Sequence, residues 1–318
     1  MYIPEFIVSF MTVVLLIPLF KKIAFKIDFV DKPIENNERK IHKAPVPLLA
    51  SIPIFIGFFL TYFIFERNFT KESLFILIGS AMILAIGMID DWYKTHKKEF
   101  PALPKFIIQI MAAAVAYFSG VVFTGFYNPL SKEYVMLPGF LQFILTVTWI
   151  FGVTTVINFT DGLDGLAGGL SSISAATLFI VALAKGQTDS AVMSIILVGI
   201  TLGYLKFNKH PAQIYMGDAG ATFIGYILGI IALDGAFKQA TVLSLFIPIL
   251  ALGVPIFDNI YVVVRRFLNG KPVYKADASQ IHYRLLSKGL STNQTVFFLY
   301  LVNICLCLSS IILLLLNI

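Results

Sequence analysis

The chain has 318 residues, of which 58% are hydrophobic and only 13% charged, and its mean hydropathy is +0.85. That composition excludes a water-soluble fold of this length and describes a chain dissolved mainly in lipid, with membrane lipid as its surroundings. The formal charge of +6 therefore reads as a record of membrane orientation, and no nucleic-acid partner is expected.

Apolar segments long enough to cross a hydrocarbon core recur at about 3–20, 46–65, 72–89, 103–124, 137–157, 165–184, 189–205, 219–233, 239–264 and 294–316. The first runs directly into Lys21 and Lys22, with no basic leader or small-residue cleavage site, and reads as a retained helix. The ten segments predict an all-α integral membrane protein, a single polytopic domain over 1–318, with both termini on one side. The loops after the odd-numbered segments, counting Lys105 just inside the fourth segment, hold 19 of the 24 lysines and arginines, which places those loops in the cytoplasm and the termini outside. Cys305 and Cys307 lie two apart within the last segment, match no metal or redox spacing, and read as packing residues.

This threading gathers ionisable groups on the cytoplasmic face. Asp90 and Asp91 end the third segment, Asp161 and Asp164 lie in the box NFTDGLDGLAGG at 158–169, and Asp218 opens the eighth segment within YMGDAGATFIGY. All four histidines, His42, His96, His210 and His282, fall in cytoplasmic loops. An active site at that face is expected, whereas a transporter would place such groups near mid-membrane, as only Asp258 is placed here.

Taken singly, each feature has an ordinary account beside a chemical one. Asp90 and Asp91 are either a solvated helix end or a pair for a divalent ion or a base. Asp218 is either a helix N-cap or a residue standing where free amides favour phosphate. Gly162, Gly165, Gly168 and Gly169 serve close helix packing or close approach of a ligand, and packing does not explain the aspartates between them. His282, near Arg284 and Lys288, is a solvated loop residue or part of a polyphosphate site. Arg39, Lys40, His42 and Lys43 are explained by retention of positive charge or by phosphate binding.

The ordered set RKIHKAPVP, DDWYK, NFTDGLDGLAGG, NKHPAQIYMGDAG and ADASQIHYRLL resembles the polyprenyl-phosphate N-acetylhexosamine-1-phosphate transferases, from about residue 30 to 295. That family includes the phospho-N-acetylmuramoyl-pentapeptide transferases. The resemblance implies attack of a lipid phosphate, here undecaprenyl phosphate, on the β-phosphate of a UDP-N-acetylhexosamine, with release of UMP. It implies a multi-pass protein of the bacterial cytoplasmic membrane and Mg²⁺ as cofactor, with Mn²⁺ as a substitute. Matched position by position, Asp218 is the metal ligand, and Asp90, Asp91 and His282 are catalytic. Lys40, Lys105, Asp161, Asp164, Asn208 and Tyr215 match substrate-binding positions, Tyr215 by offering its ring to the uracil, and Asn158 in the box and Arg284 beside His282 are further substrate-binding candidates. Family members often dimerise, so a second copy of the chain is a candidate partner.

Two stretches depart from the family pattern. Gln280, Ile281, His282 and Tyr283 replace a His-Ile-His-His run, leaving one histidine, and Leu48, Leu49 and Ala50 replace a Met-Gly-Gly type turn. The 277–291 segment looks more like the GlcNAc-1-phosphate branch than the muramoyl-pentapeptide branch, which makes UDP-GlcNAc the expected donor. The alternatives are the muramoyl-pentapeptide reaction and, in a different class, transport of a nucleotide sugar or polyprenyl lipid.

Overall fold

The computed structural model describes residues 2–33, 44–66, 70–128, 133–236, 245–270 and 279–316. The expected all-α architecture is found, with two short antiparallel ribbons added: β1 (Val30–Asp31) with β2 (Val46–Pro47), and β3 (Gly125–Asn128) with β4 (Glu133–Met136). Among the described residues, eight helices are long and apolar enough to cross a membrane: α1 (Ile3–Lys26), α3 (Lys71–Thr95), α4 (Ala102–Ser119), α5 (Gly139–Thr160), α6 (Leu166–Ala184), α7 (Thr188–Asn208), α8 (Gly217–Ala236) and α12 (Thr292–Leu315). The second expected segment forms a shorter apolar helix, α2 (Ser51–Phe65).

The ninth expected segment is not one helix. It resolves into α9 (Phe246–Ala251) and α10 (Gly253–Leu268), followed by a short α11 (Ile281–Ser287). Pro255 is the cause: it has no N–H to give the Ala251 carbonyl, and its ring crowds that carbonyl. Polar side chains on one face of α12 meet backbone groups at and before the break. Asn303 Oδ1 accepts from Val254 N at 3.5 Å, Cys307 Sγ donates to Ala251 O at 3.5 Å, and Ser310 Oγ donates to Ile247 O at 2.9 Å. Away from water such partners are required, so Cys307 packs and also hydrogen-bonds, while Cys305 is exposed on the outer surface of the bundle.

Helix α8 is the enclosed axis of the bundle, with α2, α3, α5, α6 and α7 packed around it. Its approach to α3 is backbone to backbone. Gly87 has no room for a Cβ because the Ala219 backbone fills that space, and Gly79 is covered by the Tyr226 ring, whose hydroxyl donates to Ala112 O on α4 at 3.1 Å. Small residues thus bring α3 and α8 together at the level of Asp90, Asp91 and Asp218. Large side chains such as Leu15, Leu103, Phe140 and Leu315 are exposed on outer helices, as suits surfaces that face lipid.

The α9–α10 break yields a stability prediction. Asn303→Leu removes partners from Val254 N–H and from Ser174, so it should cost about 1–3 kcal/mol and lower the thermal midpoint in detergent. Cys305→Leu should leave the midpoint unchanged in the same assay.

Candidate active site

The polar cluster is built on the α3–α8 contact. Asp91, one turn beyond Gly87, has no exposed surface, and its Oδ1 and Oδ2 accept from Asp218 N and Ala219 N at 2.9 and 3.1 Å. Gly217 turns into α8 with φ +64°, and a Cβ there would run into the Asp91 carboxylate. Glycine is required at that position for both reasons. The carboxylate of Asp218 is paired with both Lys94 and Lys105. Lys105 Nζ also meets Asp90 Oδ2 at 2.8 Å and Asn158 Oδ1 at 3.5 Å, and Lys94 Nζ lies 3.8 Å from Asp90 Oδ2 and from Asp91 Oδ1.

Sequence reasoning quoted Lys94 within DDWYK but assigned it no part. Its signal was helical spacing: it stands four residues after Asp90 and three after Asp91, on one face of α3.

Above this cluster opens a cavity of about 630 Å³. Asp161, Asp164, Asn208, Tyr215 and Asp218 line it, together with Lys94 and Asp31. Enclosure by the cavity walls, reinforced by the negative charge of Asp218, pushes the Asp161 carboxyl up to about 8. Asp164 fixes the facing loop, with Oδ2 accepting from Ala212 N at 3.0 Å and meeting His210 Nδ1 at 2.7 Å. Burial, and then Asp164, hold the Tyr215 phenol above its usual range.

Two expected substrate residues act on the backbone. Asn208 is 2% exposed; its Oδ1 accepts from Gly165 N at 2.9 Å and its Nδ2 donates to Ile214 O at 3.0 Å, so both ends of the amide tie the 158–169 box to the loop before α8. The Tyr215 backbone completes the tie to the first loop, its N–H donating to Pro47 O at 2.8 Å and its carbonyl accepting from Ala50 N at 3.2 Å. Leu48 and Leu49, the departure from the family turn, bury with Ala24 and Phe29 in a small core against Tyr215.

The box glycines mostly serve packing. A Cβ at Gly162 would meet His282, one at Gly168 would meet Tyr204, and one at Gly169 would meet Tyr300. Gly165 takes φ +81° at the start of α6, and its carbonyl accepts from the Tyr300 hydroxyl at 2.6 Å. Gly162 also lines the cavity, so close approach of a ligand is open at that glycine.

His282 and Arg284 stand apart from the carboxylate–lysine cluster. His282 is 1% exposed, and its Nε2, pressed on Gly162, is a buried atom with no hydrogen bond. The Arg284 guanidinium stacks on Tyr261 at 4.1 Å and bonds Asp258 Oδ1 at 3.3 Å, so it is held by α10. Asp258, the mid-segment exception, accepts from Ile281 N at 2.9 and 3.1 Å and so secures the start of α11. Tyr283 and Thr292 are the residues that this region contributes to the cavity wall. Lys40 lies outside the described residues, as do Arg39, His42 and Lys43.

A family profile described as Glycosyl transferase family 4 matches residues 73–236, the stretch that carries Asp90, Asp91, the box and Asp218. The chain is 39% identical over 308 residues, 97% of its length and 84% of the relative's, to the "Probable undecaprenyl-phosphate N-acetylglucosaminyl 1-phosphate transferase" of Bacillus subtilis. It is 31% identical over 313 residues, 95% of each chain, to the "Phospho-N-acetylmuramoyl-pentapeptide-transferase" of Clostridium acetobutylicum. It is 26% identical over 278 residues, 86% of this chain and 73% of the relative, to the "Undecaprenyl-phosphate alpha-N-acetylglucosaminyl 1-phosphate transferase" of Escherichia coli K12.

The buried imidazole gives a pH prediction. Burial pushes His282 down to about 4, whereas in the unfolded chain it takes up a proton near the ordinary imidazole value of 6.5. Between those values the unfolded state binds more protons, so stability rises with pH across that window, by up to about 3 kcal/mol. Thermal midpoints of the detergent-solubilised protein should fall between pH 6.5 and 4.5, and His282→Gln should flatten the fall. An equal slope in the variant would refute the assignment.

Proposed function

Because this chain belongs to glycosyl transferase family 4, we propose that it transfers N-acetylglucosamine 1-phosphate from UDP-GlcNAc to undecaprenyl phosphate, releasing UMP and leaving the sugar joined to the lipid by a diphosphate. It is a phosphoglycosyltransferase of cell-envelope glycan synthesis, set in the bacterial cytoplasmic membrane. The chain crosses that membrane ten times, α9 and α10 together making one pass, with both termini outside and the site at the cytoplasmic face. Retention of lysine and arginine on that face supports this threading.

One observation carries the reading: Asp218 and Lys94 line a cavity walled by the 158–169 box, and Lys94 and Lys105 tie Asp218 to Asp90 behind it. The donor set suits a hard divalent cation. Asp31, Asp161, Asp164 and Asp218 line the cavity, so an anionic sugar nucleotide meets a carboxylate-rich wall and calls for added positive charge. Asp218 would hold Mg²⁺, or Mn²⁺ in its place, with Asp90 beside it. Bound there, such an ion would supply positive charge against the diphosphate and the leaving UMP.

The protein's own groups do the rest. An oxygen of the lipid phosphate attacks the β-phosphorus, and the bond from that phosphorus to the bridging oxygen breaks. UMP departs with the bridging oxygen and its electron pair. The lipid phosphate is already anionic, so Asp90 positions the acceptor and needs to take little proton from it. Lys94 and Lys105 supply ammonium groups for the phosphate oxygens. Asp161, protonated near neutrality, can donate a hydrogen bond to the nucleotide, and Tyr215 offers an aromatic face to the uracil.

Purified protein given UDP-GlcNAc, undecaprenyl phosphate and Mg²⁺ should release UMP, and UDP-MurNAc-pentapeptide should not support turnover. The reverse pattern would assign the chain to the muramoyl branch. Asp218→Asn should lower turnover by on the order of 10²–10³-fold with the thermal midpoint retained. A separate pH test concerns Asp161, which is neutral below about 8 and negative above it. The KM for the UDP-sugar should therefore climb above pH 8, and Asp161→Asn should remove that climb.

A further inference from the structure

We propose that Asp91, although it touches the cavity wall, is a positioning residue that acts through Asp218, while Asp90 meets the lysines that hold Asp218. The inference rests on the reading of the site given above and divides a pair that the sequence presents as equivalent.

Three observations carry it. First, both Asp91 oxygens are committed to backbone amides at the start of α8, those of Asp218 and Ala219. A helix start leaves such amides without partners from its own helix, and a carboxylate satisfies them and complements the positive helix end. Here the carboxylate comes from another helix, so the same contact that caps α8 fixes where Asp218 begins it. Second, the surroundings are shaped for that contact. Gly87, one turn back on α3, admits the Ala219 backbone, and Gly217 in its left-handed conformation leaves the space that the Asp91 carboxylate fills. Third, the two aspartates differ in surroundings. Asp91 has 0% exposure, whereas Asp90 is 7% exposed and its Oδ2 bonds Lys105 at 2.8 Å, the lysine that also holds Asp218.

From this anchorage the Asp218 side chain projects from the first turn of α8 toward Lys94 and Lys105, and Thr222 Oγ1 donates back to Asp218 O at 2.6 Å to close that turn. Without Asp91 the first turn of α8 would lose its partners and the Asp218 carboxylate its fixed origin. A displacement of about 1 Å in such a group costs on the order of a hundredfold in rate.

The test compares Asp91→Asn with Asp91→Leu. Neither variant has a carboxylate, but asparagine caps helices about as well as aspartate and keeps one acceptor for the α8 amides. If Asp91 positions, Asp91→Asn keeps kcat within about tenfold of the parent, and KM for both substrates is unchanged. Asp91→Leu then falls about a hundredfold further and binds Mn²⁺ more weakly by electron paramagnetic resonance, a readout independent of turnover. Asparagine and leucine variants that fold and are equally inactive would overturn the proposal, since chemistry would then need the carboxylate itself. Should Asp91→Leu fail to fold, Asp91→Asn decides alone: a raised KM for undecaprenyl phosphate overturns the proposal, and an unchanged KM with intact Mn²⁺ binding supports it. Failure of the underlying reading looks different, because Asp218→Asn would then keep both turnover and Mn²⁺ binding.

Discussion

Inside a packed helical bundle, an interrupted helix leaves backbone groups that water cannot reach, and four such interruptions among the described residues are answered by a side chain from a different helix. Asp91 of α3 holds the start of α8, and Asp258 of α10 holds the start of α11. Asn208 of α7 and Tyr300 of α12 take the amide and carbonyl of Gly165 at the start of α6. Asn303, Cys307 and Ser310 of α12 serve the break between α9 and α10. The site lies where two of these interruptions, the starts of α6 and α8, come together, so its precision is a by-product of satisfying the backbone.

The charges obey the same economy. Asp90, Asp91 and Asp218 together with Lys94 and Lys105 sit within one packed region, where an uncompensated ion would be costly. Asp91 is compensated chiefly by amides, and Asp90 and Asp218 by ammonium groups. Compensation by long, flexible lysine stems can be exchanged for other partners, whereas compensation by a helix start cannot. A site that must admit highly charged ligands and then release them gains from having the first kind at its mouth and the second beneath.

Much of this was legible in the sequence. Nine of the ten segments expected from apolar length are single helices, and the cavity gathers Asp161, Asp164, Asn208, Tyr215 and Asp218 from motifs widely separated in the chain. What was not legible depended on which way a side chain turned. The contacts that hold the Arg284 guanidinium, Asp258 and Tyr261 of α10, lie more than twenty residues away in the chain and could not be read from it. The glycines of the box suggested a ligand, while His282, Tyr204 and Tyr300, all remote in sequence, occupy the space beside three of them. The broken ninth segment was foreshadowed by Pro248 and Pro255, which an average of hydropathy conceals.

The stitching of Tyr215 to Pro47 and Ala50 has a consequence for biosynthesis. The first loop leaves the ribosome early, but the strand-like partner that fixes its end belongs to the segment before α8. Until α8 has been made, α3 also has no helix start on which to place Asp91. The nascent chain is therefore committed to the membrane long before it possesses a site, and the site closes only when α8 slots in as the central post of the bundle.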